Sequence, residues 1–243
     1  ARRHVSADRA TRGDHAPSPG ALLRPVAPSR GVATAPGISG HAIAPLLPIR
    51  GPVSVLIVGE APGPRGADKS GIPFFGDAAG RHLYRALRNI DAVELAVRVD
   101  DVAWDGATLM AAGFAPVAHS VSLTNAFNRC PTDDGVKFRA PHRVELESPA
   151  NTERLLRELR SLEARGLRGV VTLGKVAERT MTRVIAMGSM RDVTLHALPH
   201  PSAQGLLSMA PHRGRGARMA DLQDQWIAQC ERAVRDASGG GIA

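Results

Sequence analysis

The chain has 243 residues, with 31 Lys and Arg against 23 Asp and Glu and a formal net charge of +8. That length suits one sizeable α/β domain, or a domain plus a tail, and 43% hydrophobic residues can fill a core, so a wholly disordered chain is excluded. No run approaches the ~18 apolar residues of a membrane span, and the two cysteines, Cys130 and Cys230, make neither a disulfide framework nor a four-ligand zinc or iron–sulfur set.

In chain order, the opening Ala1-Arg2-Arg3-His4 has no apolar core of the secretory type, so the expectation is a soluble, cytoplasmic protein. Residues 1–50 hold seven Pro (17, 19, 25, 28, 36, 45 and 48) among Gly, Ser and Ala, which sustain neither a helix nor a strand ladder for long. They read as a Pro/Gly/Arg-rich N-terminal arm, either a solvated leader or a strap that wraps the domain or touches a polyanion. With seven Arg and two Asp the arm carries +5 of the +8, so the charge is not spread over a uniformly basic surface.

The domain is expected to occupy residues 51–243. Val53-Ser54-Val55-Leu56-Ile57-Val58-Gly59 is a β-branched run of the buried parallel type. A Gly- and Pro-rich loop reaches Phe75, and Leu83, Ala86, Leu87 and Ile90 then mark a helix. Residues 120–125 read as a second strand. Ser148-Pro149 opens a helix with a stripe at Leu155, Leu156, Leu159 and Leu162. Residues 169–174 form a third strand leading straight into a helix from Lys175, and Val193-Thr194-Leu195 a short fourth. Leu222, Trp226, Ile227, Cys230 and Val234 lie on one face of a closing helix. The alternation predicts an α/β fold: a single three-layer domain with a central, mostly parallel four-stranded sheet and helices on both faces. Sites in such sheets gather at the carboxyl ends of the strands, here the loops 59–77, 125–139 and 197–218.

Several residues in those loops suit chemistry, each with a plainer alternative. Glu60 is a base or a loop hydrogen bonder. Phe74 and Phe75 stack a planar ring or fill the core. Asp77 caps the following helix or faces a ligand. The Asn125 amide, both donor and acceptor, reads a base edge or makes a turn. His200, between Pro199 and Pro201, is held in one direction, as a donor to a developing anion or as a surface loop residue. His212, Arg213, Arg215 and Arg218 form a basic patch suited to phosphates, or a solvated loop.

Taken in order, these motifs resemble the uracil-DNA glycosylase superfamily over roughly residues 53–230. Gly59-Glu60-Ala61-Pro62-Gly63 is like the opening of its fourth family, and Gly76-Asp77-Ala78-Ala79-Gly80 followed by Leu83-Tyr84-Arg85-Ala86-Leu87 is like its fifth. Leu123-Thr124-Asn125-Ala126 resembles the base-reading strand end, Val171-Thr172-Leu173-Gly174-Lys175 the junction between the motifs, and His200-Pro201-Ser202 the terminal motif. Two departures stand out. Both families usually carry a four-iron, four-sulfur cluster on four Cys; with two Cys here, no cluster and no other cofactor or metal is expected. The best-known family has an Asp where this chain has Ala61.

The resemblance implies a monofunctional DNA repair enzyme that hydrolyses the N-glycosidic bond of deoxyuridine, releasing uracil and leaving an abasic site. The base must be flipped out of the helix to be reached. Phe74 would stack on uracil and Asn125 read its edge, with Gly59 and Ala61 lining the base pocket. His200 would donate to the leaving base. Asp77 is the first candidate to orient water and stabilise the sugar cation, and Glu60 the second. On the DNA side, Gly63 and Ser202 amides would hold flanking phosphates, Arg213 and Arg215 would add charge, and Gln204 would also bind DNA. Leu206 and Leu207 are candidate wedges for the gap left by the base. The implied partners are uracil-containing DNA and the product uracil, met by a monomer in the nucleoid without any membrane. A non-catalytic binder of uracil-containing or abasic DNA, and an enzyme of free nucleosides, are the competing readings.

Overall fold

The computed structural model describes residues 37–211 and 216–240. In chain order the elements are β1 (Val55–Gly59), α1 (Ala67–Ser70), α2 (Ala78–Asn89), β2 (Val93–Glu94), α3 (Gly106–Ala111), β3 (Val117–Ala118), β4 (Val121–Asn125), α4 (Arg143–Leu146), α5 (Pro149–Glu163), β5 (Gly169–Leu173), α6 (Lys175–Gly188), β6 (Thr194–Leu198), α7 (Ala203–Leu207) and α8 (Met219–Ala237). Four of the strands form one sheet in the order β4-β1-β5-β6, and every neighbouring pair is parallel. The architecture is the expected three-layer α/β sheet, with β1 and β5 central.

The near-continuous apolar runs of the inner strands follow from burial on both faces. Val55 and Ile57 of β1, Val121 and Leu123 of β4, and Val171 and Leu173 of β5 join one core with α2 and α8. The alternate residues Leu56, Val58 and Val170 join the other core, with α5 and α6. Leu83, Tyr84 and Leu87 of α2 pack beside Leu222, Trp226, Cys230 and Val234 of α8. Helix α5 starts as the sequence suggests: Pro149 occupies its first turn and the Ser148 side chain accepts from the Asn151 N–H.

Strand β6 runs on to Leu198, beyond the expected Val193–Leu195, and as an edge strand it is only partly covered, so its apolar signal fades. The short antiparallel ribbon β2–β3 and the four- to six-residue helices α1, α3, α4 and α7 were not legible, because so few residues show no period. Residues 37–50, read as the end of the arm, lie along the domain. Leu46 bridges Leu123 antiparallel at the β4 edge and Ile43 is buried. The Ser39 and Gly40 N–H groups and the Ser39 hydroxyl all donate to the Asp68 carboxylate. Burial opposes the Asp68 charge, but these bonds and Lys69 hold its carboxyl below the usual range.

Candidate active site

Strands β1 and β4 end level with one another, Gly59 opposite Asn125. Both residues continue the face of Val55, Ile57, Val121 and Leu123, so they meet under the same core as Phe74. A Cβ on Gly59 would stand 2.5 Å from the Phe74 ring and 2.8 Å from Asn125 Oδ1. Glycine is required here by close approach, not by a special dihedral. Asn125 is buried, and its Oδ1 has no hydrogen-bond partner. An orphaned buried acceptor costs about 1–3 kcal/mol.

Phe74 sits at φ 63°, a left-handed backbone that bulky residues avoid. Its neighbours impose it. Phe75 is locked edge-on against Tyr84 and Trp104, with ring centroids 5.5 and 5.3 Å away. The Tyr84 hydroxyl donates to the Pro73 carbonyl at 2.9 Å, and the Ser70 hydroxyl to the Phe75 carbonyl at 2.9 Å. The Phe pair thus divides its roles: Phe75 is core and Phe74 forms part of a cavity wall.

That cavity, about 520 Å³, opens beyond the strand ends. Glu60, Ala61, Gly63, Phe74, Asp77 and His200 all line it. Asp77 is not the side-chain cap of α2. Its carboxylate turns back and accepts the N–H groups of Gly66 at 3.0 Å, Gly63 at 3.2 Å and Ala67 at 3.3 Å, which fixes the loop it came from. Burial outweighs these bonds and raises the Asp77 carboxyl above its ordinary range, with Asp68 adding to the rise. Burial also raises Glu60, partly offset by Arg179.

His200 is held by its loop: Trp226 Nε1 donates to the Pro199 carbonyl at 2.8 Å. The Ser202 N–H donates to His200 Nδ1 at 3.2 Å. An accepting Nδ1 places the proton of the neutral ring on Nε2, leaving a donor for the cavity. Burial lowers the His200 pKa and so favours that neutral form.

The DNA-side expectations fare differently. The Gly63 and Ser202 amides, expected to grip phosphates, are already engaged by Asp77 and His200. Leu206, a candidate wedge, is 1% exposed and belongs to the core, because α7 turns its apolar side inward; Leu207 is 36% exposed and remains outside. Gln204 lines an adjoining groove shared with Glu60, His200 and Lys175. Arg213 and Arg215 lie outside the described residues. Phe138, unnoticed in the sequence, also lines the cavity; its only signal was an aromatic set in a polar Asp-Asp-Gly turn.

The cysteines do not fit a four-thiolate cluster. The chain has two. Cys230 faces the α8 core, and burial pushes the Cys130 thiol up to about 12, against the thiolate form a cluster needs. Among the described residues, no three His, Cys, Asp or Glu are grouped to hold a metal ion, and no helix is long and apolar enough to cross a membrane.

The family described as "Uracil DNA glycosylase superfamily" matches residues 49–218. Among solved structures, the wild-type Pedobacter heparinus SMUG2 crystal structure is 16% identical, covering 76% of this chain and 77% of its own, at a TM-score of 0.45. No curated protein matches the chain.

Proposed function

The chain belongs to the uracil DNA glycosylase superfamily, and from that premise we propose that it releases uracil from DNA by hydrolysing the N-glycosidic bond of deoxyuridine. The observation that carries this reading is the orphaned Asn125 Oδ1 beside the Phe74 ring. A buried acceptor beside an aromatic ring suits a planar base bearing an N–H on its edge, as uracil does. Gly59 lets the Phe74 ring and Asn125 Oδ1 approach the strand end, just behind the cavity wall, and Ala61 belongs to that wall, which a flipped nucleotide would touch.

The chemistry needs two groups. As the bond between the sugar carbon and the base nitrogen breaks, its electron pair passes to the base. His200 Nε2–H donates to the base oxygen that gains charge. The sugar carbon becomes cationic and takes up water, whose proton passes to a carboxylate. Asp77 is preferred for that role because three N–H bonds fix its direction. Glu60 lines the same cavity, and its carboxylate has no hydrogen-bond partner among the described residues, which keeps it as the second candidate.

With the Gly63 and Ser202 amides engaged, DNA contacts fall to Gln204, Lys175 and the Arg213–Arg215 stretch, and Leu207 is the wedge. The enzyme would act as a monomer in the cytoplasm, on the nucleoid, through one domain strapped by residues 37–50, and without an iron–sulfur cluster. Incubation with a uracil-containing oligonucleotide and a chelator, followed by alkali, tests this. Strand scission is expected. Tight binding with no scission at any salt concentration would leave a non-catalytic binder, and turnover of free deoxyuridine alone would make it a nucleoside enzyme.

A further inference from the structure

Of the eight aromatic residues in the chain, seven are buried or partly covered, and Phe138 alone is exposed, at 48%. It belongs to neither apolar core. Yet its position is fixed. Thr132 and Phe138 bridge across a tight turn. Within it, Asp134 Oδ1 accepts the Val136 and Lys137 N–H groups at 2.9 and 2.8 Å, and the Gly135 N–H donates to the Thr132 hydroxyl at 2.9 Å.

The turn is also fastened from outside. The Ile38 N–H of the strap donates to the Gly135 carbonyl at 2.7 Å. Arg139, next to Phe138, grips Glu145 through both terminal nitrogens at 2.7 and 2.8 Å and Asp133 through Nε at 2.7 Å. That pairing holds the Glu145 carboxyl down at about 2. Both acidic groups of the turn are thereby occupied, Asp133 by Arg139 and Asp134 by backbone amides, while Lys137 is exposed. The ring is thus exposed, held on a fastened turn, and part of the cavity wall, where a ligand can reach it.

We propose that Phe138 is a second stacking residue, which receives the nucleobase next to the flipped nucleotide while Phe74 receives the flipped base itself. This rests on the reading of the cavity as a DNA glycosylase site. Phe74 is nearly covered and sits against Gly59 and Asn125, deep in the site, whereas Phe138 stands open on the cavity wall. A flanking base displaced from its own stack would regain an aromatic partner there, without regard to sequence, because every base has a π-face.

The test is a coupling experiment on single-stranded oligonucleotides carrying 2′-fluoro-deoxyuridine, which resists hydrolysis. Equilibrium binding is measured with both neighbouring bases present, and with each in turn replaced by an abasic residue. Phe138→Ala is expected to weaken binding by about tenfold to a hundredfold, the size of one aromatic–base stack. Removing one particular neighbour should weaken the natural protein by a similar factor and leave Phe138→Ala unaffected, and Phe138→Trp should restore the dependence. Phe138→Ala should melt with the natural protein, since the ring is outside both cores. Additive losses, or Phe138→Ala binding like the natural protein, overturn the proposal. Release of uracil from an ordinary oligonucleotide, run in parallel, reports separately on the glycosylase reading. Release without coupling removes only the stacking role, coupling without release removes only the enzyme, and no binding at all removes both.

Discussion

Replacing Asp77 by Asn separates its two duties, because the substitution keeps the shape and removes the charge. In the native site Oδ1 accepts from Gly66 and Oδ2 from Gly63 and Ala67. An Asn amide has one accepting oxygen. Whichever way it turns, its NH2 group faces at least one backbone N–H, and that donor loses its partner. Gly66 and Ala67 are buried, so the loss costs about 1–3 kcal/mol. For a domain of this size that is about 2–12 °C in Tm. Removing a charge that burial disfavours offsets part of it. The sign of that offset follows from the pKa. The folded carboxyl lies above its ordinary 3.8, so its contribution to stability is complete below that value and declines as pH rises through the raised one. The Asn variant's deficit should therefore be widest in acid and narrow towards neutral pH. Activity should behave in the opposite sense. If the ionised carboxylate orients water, the natural rate falls as pH drops through the raised pKa. The variant should lose that limb along with about 10²–10⁴ of the rate. Single-turnover uracil release and thermal melts across pH measure both. Full activity in Asp77→Asn together with its loss in Glu60→Gln would refute the order of the carboxylates, and an unchanged Tm would refute the anchoring role.

Four further substitutions probe the rest of the site. Gly59→Ala puts a methyl 2.5 Å from the Phe74 ring; overpacking of about 1–3 kcal/mol is expected in chemical denaturation, with weaker inhibition by free uracil. His200→Ala should lower the single-turnover rate by about 10²–10³, the loss seen on removing one oxyanion donor. Because burial depresses the His200 pKa below 6.5, its contribution to stability is present above that pH and lost as pH falls below it, and melts of the Ala variant should lack that acid loss. Leu206→Ala should destabilise by about 2–5 kcal/mol, as a core truncation does. Leu207→Ala should leave Tm nearly unchanged and weaken binding to duplex DNA, and the reverse pattern would contradict the orientation of α7.

The strands were legible because burial on both faces writes long β-branched runs, and the edge strand β6 blurred because only part of it is covered. The motif residues Glu60, Phe74, Asp77 and His200 could be named from order alone, and they do meet around one cavity. What the sequence could not show is how their hydrogen bonds are spent. An Asp before a helix reads as a cap, and only the fold of the 60–77 loop shows the carboxylate reaching back to Gly63, Gly66 and Ala67 instead. The amides of Gly63 and Ser202 looked free because loop amides usually are. Leu206 and Leu207 are the same residue type one position apart, and a five-residue helix gives no period from which to tell the inner from the outer one.

The site rests on two supports of different stiffness. Asn125 and Gly59 are set by the register of β1 against β4, where a slip of one residue would turn Asn125 to the opposite face, towards α5. Thr124, its neighbour, already faces that way and donates to Glu158 at 3.0 Å. The Asn125 amide is therefore as rigid as the sheet. Asp77 and Phe74 instead belong to a loop closed by side chain–backbone bonds, one of whose closures is Asp77 itself. A residue proposed to act on water thus also holds the frame that aims it, so loss of rate in any Asp77 variant is a catalytic loss only where the base pocket survives. On the proposed reading, binding of free uracil would report on that pocket, through Asn125 and Phe74. An Asp77 variant that binds uracil as the natural protein does, yet turns over slowly, places the carboxylate in the chemistry. One that loses uracil binding places it in the frame.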